Sequence, residues 1–352
     1  MVKELKITKT TNSKLDSVDF NNIPFGHVFS DHMLVMDYSN GKWQEPQIIP
    51  FGDMQISPAC SALHYGQSIF EGMKAERGAD GSILFFRPEM NLRRLNESAT
   101  RMGMPTINEE DFLYYLKELV KLDNAWIPTL EGSSLYIRPL FFGNDGFIGV
   151  RSAETFRLIL MTGPAGPYYA KPVNVFVEDK YVRAVNGGTG AAKTAGNYAA
   201  TLYPMQLAKE AGFDQILWTD AHEHKYLQEA GTMNLFFVID GVVITSPLND
   251  TILPGITRDS FITLLREKEV EVQERPISVD EVFEAHKNGK LDDAFGAGTA
   301  AVLIPIKSIS TRNEKIELNN PEGRELSISL KKHFVDIKRG LAEDKYSWIT
   351  KI

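Results

Sequence analysis

The chain has 352 residues, a formal net charge of −8 at pH 7 and one cysteine. Its length suggests two domains, and 43% hydrophobic with 24% charged residues is typical of a soluble globular protein. The acidic balance argues against a nucleic-acid or anionic-membrane surface, and no apolar run approaches the length of a membrane span. A single Cys60 can form neither an internal disulfide nor a cysteine metal site.

The N-terminal residues resemble no targeting segment. The first seventeen lack the apolar stretch of a signal peptide, and they include Glu4 and Asp16 but no arginine, unlike an organelle transit peptide. We therefore expect a cytoplasmic protein. Residues 1–20 are polar and predict a loose arm.

The first half of the chain mixes strand and helix patterns. Strands are expected at 32–38, which form a hairpin through the turn 39–42, and at 83–87, 135–140 and 156–161. Two amphipathic helices follow Pro88 and Asn108. Arg138 and Arg157 are unusual in a buried sheet, so we expect one face of the sheet to open to a site.

Glycine and proline make up five of the ten residues from Gly163 to Pro172. Such a composition predicts an interdomain linker. The expected organisation is a small N-terminal α/β domain (1–162), a linker (163–172) and a large C-terminal domain (173–352).

The second half is also rich in strands. We expect strands at 173–177 and 215–219, a hairpin of 235–239 with 242–245 through Asp240-Gly241, and a strand, glycine turn and strand over 294–305. Helices are expected at 197–211, from 256 to about 268, after a capping box of Ser278 and Glu281, and at 325–340.

Four glycines surround Lys193 between Gly187 and Ala200. Small residues let the backbone approach a phosphate or a planar group closely, and a lysine that loses solvation there becomes nucleophilic. Three interpretations are open. The stretch is a flexible turn with a solvated lysine, a nucleotide-phosphate loop in which Ala192 replaces a required glycine, or the site of a lysine that forms a Schiff base with an aldehyde cofactor.

Other features favour the third interpretation. The helix start after Pro254-Gly255 and the turn that ends at Thr299 suit one phosphate group, because a helix N-terminus attracts anions. Glu229 suits a buried cationic ring nitrogen, since a buried charge needs a partner. A reactive lysine, a phosphate site and an acid for a ring nitrogen together describe pyridoxal 5'-phosphate (PLP).

From about Phe25 to the last helix, the chain resembles the branched-chain amino-acid aminotransferases, which are PLP enzymes of fold type IV. The motifs that carry the resemblance are, in order, Phe25-Gly26, Asp31-His32-Met33, Leu63-His64-Tyr65, Phe70-Glu71-Gly72-Met73-Lys74-Ala75, Leu135-Tyr136-Ile137-Arg138-Pro139, Gly196-Asn197-Tyr198, Glu229-Ala230-Gly231-Thr232-Met233-Asn234-Leu235-Phe236 and Leu253-Pro254-Gly255. The resemblance implies a two-domain α+β or α/β fold of the D-amino-acid aminotransferase type, with the cofactor between the domains. It also implies transamination of L-leucine, L-isoleucine and L-valine with 2-oxoglutarate, which gives branched 2-oxo acids and L-glutamate.

The resemblance also assigns roles to residues that bind the cofactor. Lys193 would bond to PLP and later move the proton between substrate and cofactor. Tyr198 would hydrogen-bond the phenolic oxygen, and Glu229 would keep the ring nitrogen protonated. The phosphate would be bound by the following residues: Arg94, Thr299 and the backbone of Ile256 and Thr257. Arg93, beside Arg94, is expected to be a solvated helix residue.

Substrate residues follow from the same resemblance. An apolar pocket would be formed by Phe25, Phe70, Tyr136 and Tyr168. The α-carboxylate would be held by Tyr65 and the backbone near Ala300, Arg138 would receive the side-chain carboxylate of glutamate, and Thr232 would also contact the substrate. Tyr65 and Val150 would reach the active site of a neighbouring subunit, which implies at least a homodimer.

Alternative functions remain open at this stage. Within the fold they are a D-amino-acid aminotransferase and an aminodeoxychorismate lyase, and outside it a non-catalytic phosphate- or nucleotide-binding protein that uses loop 187–194.

No metal is expected, because His222 and His224 have no third ligand nearby in the sequence. The G-x-S-x-G motif of serine hydrolases is absent. Ala301 and Ile304 replace a C-x-x-C pair that vertebrate members of the family often carry, so no thiol switch is expected there.

Overall fold

The computed structural model describes residues 4–166, 171–318 and 320–352. These residues form two compact units. One contains the described residues up to 166 together with 192–196 and 336–352, and the other contains those of 171–191 and 197–335. The segment that carries Lys193 therefore clusters with the N-terminal unit. The boundaries expected from the sequence, 1–162 and 173–352 with a linker at 163–172, stay a prediction.

In the described residues the strands are β1 (Lys6–Ile7), β2 (His32–Ser39), β3 (Lys42–Trp43), β4 (Gln47–Pro50), β5 (Ser68–Phe70), β6 (Met73–Arg77), β7 (Ile83–Phe86), β8 (Ser134–Gly143), β9 (Phe156–Ala165), β10 (Val173–Val177), β11 (Gln215–Thr219), β12 (Leu227–Ala230), β13 (Met233–Ile239), β14 (Val242–Thr245), β15 (Val272–Glu274), β16 (Leu291–Gly298), β17 (Val302–Ser310), β18 (Lys315–Glu317) and β19 (Ile349–Lys351).

The α-helices of the same residues are α1 (Ser61–Tyr65), α2 (Pro88–Arg101), α3 (Glu109–Leu122), α4 (Ala195–Ala199), α5 (Leu202–Glu210), α6 (Ile256–Glu267), α7 (Val279–Lys287) and α8 (Glu325–Lys338). Two predicted caps are confirmed. The side chain of Asn108 accepts a hydrogen bond from the N–H of Asp111 at 2.9 Å, and that of Ser278 accepts one from Glu281 at 3.1 Å. Each cap satisfies a backbone donor that the first helical turn leaves without an acceptor.

The N-terminal unit is built on one sheet of order β1-β4-β2-β9-β8-β6-β7-β19, in which β3 pairs with β2 and β5 with β8. Because successive side chains of a strand point to opposite faces, Met73, Ala75, Leu135 and Ile137 share one face. That face packs in a single hydrophobic core with residues of α2 and α3.

The opposite face of the same strands carries polar and aromatic side chains. Tyr136 pairs with Lys74 across β6 and β8, and Phe70 pairs with Leu140 across β5 and β8. Arg138 therefore shares a face with Tyr136 and Phe70. Arg157 has a different environment, since it forms a two-bonded ion pair with Asp37 on the adjacent strand, at 2.7 and 2.9 Å.

The C-terminal unit contains a closed ring of strands, β12-β11-β10-β17-β16-β13, because β12 also pairs with β13. From this ring β14, β15 and β18 extend the sheet. The predicted hairpin is confirmed: Ile239 pairs with Val242, and Asp240 and Gly241 have φ angles of 54° and 78°. Positive φ at both central residues matches the twist that a two-residue hairpin needs.

Two local predictions were wrong. The helix expected over 197–211 is divided into α4 and α5, because Pro204 has no N–H to donate to the carbonyl of Ala200 and its ring crowds that carbonyl. The polar arm is not wholly loose, since its strand β1 pairs with β4 in parallel.

Part of the segment predicted as a linker lies in a strand. β9 continues to Ala165, and Gly163 pairs with Tyr136. A Cβ at Gly163 would lie 2.1 Å from the carbonyl oxygen of Val28. The glycine is therefore required by a close approach of two backbones. Residues 167–170 lie outside the described part of the chain.

None of the helices in the described ranges combines the length and the apolarity that crossing a membrane requires.

We predict that Gly163→Ala lowers the free energy of unfolding by about 1–3 kcal/mol, because the new methyl group overlaps the Val28 backbone. Gly52→Ala is the matched control, since a Cβ there meets nothing within 4 Å. Urea denaturation of both variants measures the effect. Equal stability of the two variants would show that the backbone contact at Gly163 is not close.

Candidate active site

The backbone on either side of Lys193 is held by hydrogen bonds within the N-terminal unit. The N–H of Lys193 donates to Ser98 Oγ at 2.9 Å, and its carbonyl accepts from the N–H of Phe70 at 3.0 Å. The next residue, Thr194, donates its hydroxyl to the carbonyl of Ser68 at 2.8 Å. Strand β5 and helix α2 thus fix this lysine, which excludes the interpretation of a flexible turn.

The side chain of Lys193 lies beside aromatic residues. Its Nζ is 4.9 Å from the centroid of the Phe70 ring, and Arg138 Cζ lies 4.7 Å from the same centroid. Arg138 Nη2 donates to the hydroxyl of Tyr136 at 2.9 Å, and the Phe25 ring meets the Tyr136 ring edge-on at 4.9 Å. The structure thus brings together five predicted site residues of the N-terminal unit.

Two details show that this cluster is closely packed and charged. A Cβ at Gly72 would lie 2.2 Å from the Tyr136 hydroxyl, so the tyrosine requires a glycine there. Arg138 Nε is buried and has no hydrogen-bond partner among the described residues. A buried donor of this kind is costly unless a ligand satisfies it.

Arg94 forms a buried ion pair that the sequence analysis did not predict. Its Nε and Nη2 donate to the two carboxylate oxygens of Glu71, at 2.7 and 2.9 Å. Asn91 Nδ2 also donates to Glu71, at 2.8 Å. Burial alone would raise the pKa of Glu71, but Arg94, the charge of Lys193 and the Asn91 amide together hold it below its usual value. One signal was available: an acid between apolar residues and glycine needs a partner when buried.

Arg93 points away from this network. It is exposed, as expected for a solvated helix residue, whereas Arg94 is only 5% exposed.

In the C-terminal unit, Glu229 lies in strand β12 and is 3% exposed. Its Oε1 accepts from the N–H of Leu253 at 2.9 Å and from Asn234 Nδ2 at 3.2 Å. Arg183 Nε lies 2.8 Å from Oε2 in an ion pair without hydrogen-bond alignment. No local pattern in the sequence identifies Arg183, because nothing near it links it to an acid 46 residues later.

Arg183 and Asn234 connect the acid to two glycine-containing loops. Arg183 Nη2 donates to the carbonyls of Gly190, at 3.1 Å, and Thr251. Asn234 Nδ2 also donates to the carbonyl of Leu253 at 2.9 Å, and a Cβ at Gly255 would lie 1.9 Å from Asn234 Oδ1. Glycine at this position lets helix α6 begin against Asn234.

Helix α6 begins at Ile256, with Gly255 as its N-cap residue. Ile256 and Thr257 are both buried in its first turn. The N–H groups of a first turn have no intrahelical acceptor, and the helix dipole favours an anion there.

Tyr198 and Thr232 lie near Glu229. One recess of the C-terminal unit is lined by Arg183, Asn197, Tyr198, Thr201, Glu229, Gly231, Thr232 and Leu253. Asn197 holds the loop before it, because its side chain exchanges two hydrogen bonds of 2.7 Å with Thr189.

Thr299 and Ala300 occupy the turn between β16 and β17, and both are partly exposed. β16 pairs antiparallel with β13, with Ala297 opposite Asn234. The end of β16 is therefore next to the start of β13. This pairing brings the turn towards Thr232, whose carbonyl lies 4.0 Å from the position of a Cβ at Gly298.

Three predicted substrate residues are not part of these groups. Tyr65 and Val150 are 40% and 91% exposed, and within the described chain no hydrogen bond or ring contact joins them to the cluster around Phe70. Tyr168 lies outside the described residues.

His222 and His224 form no metal site with other residues of the described part of the chain. His224 Nδ1 lies 2.8 Å from Thr219 Oγ1, and in the described ranges no group of three His, Cys, Asp or Glu side chains could hold a metal ion.

We predict that Arg183→Gln lowers the free energy of unfolding by about 3 kcal/mol or more at pH 7, because it leaves the buried Glu229 carboxylate without its charged partner. Arg312→Gln is the matched control. Its pair with Asp179 is exposed on both sides, at 58% and 44%, and should contribute less than about 1 kcal/mol. Urea denaturation compares them. A similar loss in both variants would contradict the buried ion pair.

Comparison with known proteins agrees with the fold. The family described as amino-transferase class IV matches residues 68–309. Branched-chain-amino-acid aminotransferase 2 of Bacillus subtilis (strain 168) is 46% identical over 356 residues, which cover 100% of this chain and 98% of that protein.

Solved structures are similar over nearly the same range. The branched-chain amino acid aminotransferase of Escherichia coli superposes with a TM-score of 0.73 at 26% identity, over 91% of this chain and 98% of that one. The branched-chain amino acid aminotransferase from Thermobaculum terrenum, solved in its PLP form, has the same fold, with a TM-score of 0.73 at 23% identity, over 91% and 98%. The predicted two-domain fold type IV is confirmed. The chain belongs to the class IV aminotransferases and, among them, to the branched-chain-amino-acid aminotransferase family.

Proposed function

We propose that this enzyme transfers the amino group of L-leucine, L-isoleucine or L-valine to 2-oxoglutarate, giving branched 2-oxo acids and L-glutamate. The observation that carries the proposal is the cluster around the Phe70 ring, whose centroid lies 4.9 Å from the Lys193 amine and 4.7 Å from Cζ of Arg138. Arg138 in turn donates a hydrogen bond to Tyr136. The cluster combines a reactive amine, an aromatic wall and one cation. The names of the relatives support the same reaction.

The residues of this chain fit PLP, the cofactor of fold type IV aminotransferases. The fit rests on a buried carboxylate, Glu229, that accepts two hydrogen bonds and forms an ion pair with Arg183, and on Gly255, which lets helix α6 begin against Asn234. When bound, PLP supplies an electrophilic aldehyde and a ring that takes up electrons from the substrate's α-carbon.

Lys193 would bond to the aldehyde carbon and later move the α-proton. Its backbone hydrogen bonds to Ser98 and Phe70 fix the point from which the side chain extends, and its Nζ lies 4.9 Å from the centroid of the Phe70 ring. Both contacts favour proton transfer over a short distance. Glu229 would accept a hydrogen bond from the ring nitrogen and keep its proton in place. Tyr198, in the recess that Glu229 lines, would hydrogen-bond the phenolic oxygen.

The phosphate is assigned to residues that suit an anion. Arg94 offers a buried guanidinium whose Nε and Nη2 donate to Glu71 and whose positive charge suits a phosphate. The backbone N–H groups of Ile256 and Thr257 lie at the positive end of α6, and Thr299 offers its hydroxyl from the turn after β16.

The substrate pocket is assigned to Phe25, Phe70, Tyr136 and Tyr168, whose apolar surfaces suit a branched side chain. The same pocket has to accept glutamate. Arg138 would then receive the second carboxylate, and its unpartnered Nε supports this role. Thr232 and the backbone near Ala300 would contact the α-carboxylate side of the substrate.

Tyr65 and Val150 are assigned to the active site of a neighbouring subunit in a homodimer. Their exposure supports this proposal, because Val150 and its neighbours Phe147 and Ile148 present apolar side chains at the surface of the single chain, at 91%, 45% and 68% exposure. We also propose a cytoplasmic location and the domain boundaries 1–162 and 173–352.

The proposed reaction predicts a defined substrate range. With 2-oxoglutarate, the purified protein should convert L-leucine, L-isoleucine and L-valine but not D-alanine, and reduction with borohydride should attach the cofactor to the peptide of Lys193. Lys193→Ala should lose activity by a factor of about 10⁴ or more, because the nucleophile and the proton carrier are the same group. Lys121→Ala, at an exposed lysine of α3, is the control. Activity confined to D-amino acids, or cofactor on another lysine, would reject the proposal.

Mixed dimers test the assignment of Tyr65. Lys193→Ala and Tyr65→Ala chains should each form impaired homodimers. In a mixed dimer one site combines both lesions, while the other has its own Lys193 and an intact Tyr65 from the partner, so activity should rise on mixing. If mass spectrometry shows that subunits exchange and activity does not return, Tyr65 acts in its own chain.

A further inference from the structure

Glu71 is a fully buried carboxylate, 0% exposed, to which the proposed reaction assigns no step. Burying a carboxylate is costly, and an apolar residue of similar volume would fill the same space without that cost. Two cations act on it. Arg94 forms a two-bonded ion pair with it, and the charge of Lys193 helps to lower its pKa. An acid at this position therefore calls for an explanation other than packing.

The geometry of the Arg94–Glu71 pair restricts the guanidinium group. Two parallel hydrogen bonds, from Nε to Oε1 and from Nη2 to Oε2, define the plane of the guanidinium and oppose its rotation about the Cδ–Nε bond. The direction in which Nη1 points is then determined as well. An unrestrained arginine would instead lose rotamer entropy whenever it bound a ligand.

The carboxylate that provides this restraint is itself held. Asn91, one helical turn before Arg94, donates to Glu71 Oε2 at 2.8 Å and to the carbonyl of Gly72 at 3.2 Å. The N–H of Gly72 donates to the same Oε2 at 3.1 Å. Helix α2 and the residue before β6 thus fix Glu71 from two directions, and the acid is a rigid support for the arginine.

We propose that Glu71 is a positioning residue for the cofactor's phosphate, because it holds the Arg94 guanidinium in the orientation in which Arg94 binds that phosphate. The inference rests on the proposed function, in which Arg94 is a phosphate ligand. Glu71 touches neither the cofactor nor the substrate in this role. It acts through Arg94.

A positioning role and a purely electrostatic role predict opposite effects. If Glu71 only offset positive charge, its neutralisation would remove repulsion from the phosphate and tighten PLP binding. If Glu71 positions Arg94, its neutralisation frees the guanidinium and weakens PLP binding. The sign of the change in affinity therefore separates the two roles.

The experiment measures the dissociation constants of PLP and of pyridoxal, which lacks the phosphate, for the full-length apoenzyme by absorbance titration. Glu71→Gln should weaken PLP binding by about tenfold, as expected for the loss of one charge-assisted hydrogen bond to phosphate, and should change pyridoxal binding little. Arg94→Gln should have a similar effect. The double variant should lose no more than Arg94→Gln alone, because Glu71 acts only through Arg94.

Two further variants keep the test decisive. Glu71→Asp retains the charge but shortens the side chain, so it should also lose preference for PLP over pyridoxal, and it replaces Glu71→Gln if that variant does not fold. Asp293→Asn is the matched control, because it breaks another buried pair, with Arg324 Nη1 at 3.0 Å from Asp293 Oδ1, and should leave the preference unchanged.

Several results would overturn the inference. The inference is wrong if Glu71→Gln binds PLP as tightly as the wild type or more tightly, or if Glu71→Asp keeps the wild-type preference for PLP over pyridoxal. It is also wrong if the effects of Glu71→Gln and Arg94→Gln on PLP binding add up in the double variant, or if Asp293→Asn loses the preference for PLP to the same extent. A wild-type apoenzyme that binds pyridoxal as tightly as PLP would have a different meaning. It would reject the phosphate site of the proposed function itself, and the inference with it.

Discussion

Two buried ion pairs, one in each unit, determine how the candidate site is built. Glu71 with Arg94 in the N-terminal unit, and Glu229 with Arg183 in the C-terminal unit, each remove two charges from water. Such pairs are costly unless further hydrogen bonds satisfy the remaining donors and acceptors. Asn91 and Asn234 supply those bonds. The acids are therefore fixed in position, which is the condition for orienting other groups.

The alternation of side chains along strands separates stability from chemistry in the N-terminal unit. One face of β6 and β8 packs against α2 and α3 in the hydrophobic core. The other face carries Tyr136 and Arg138, and strand β5 adds Phe70. Packing of the core face against the helices holds the two strands in place, so the side chains on the opposite face have defined positions. Arg138, which would be unfavourable in a strand buried on both faces, therefore lies in the cluster around Phe70.

Close backbone approaches add a second constraint. Gly72 admits the Tyr136 hydroxyl, Gly255 admits the Asn234 side chain, and Gly163 admits the carbonyl of Val28. In each case a Cβ would lie closer than 2.5 Å to an oxygen atom. These glycines are therefore explained by what packs against them, and not by turns or by flexibility.

The sequence by itself determined the features that depend on neighbouring residues. The hairpin at Asp240-Gly241 and the caps at Asn108 and Ser278 follow from local backbone preferences, and the motifs around Lys193, Glu229 and Pro254-Gly255 were sufficient to indicate the family and the cofactor. Only the tertiary structure decided which charges meet. Arg183 and Glu229, or Glu71 and Arg94, are far apart in the chain and are brought together by strand pairing and helix packing, which no local pattern records. The same reason explains why the sequence alone indicates a linker at Gly163. The backbone of Val28 requires a glycine there, but Val28 is more than a hundred residues away in sequence and is adjacent only in the folded protein.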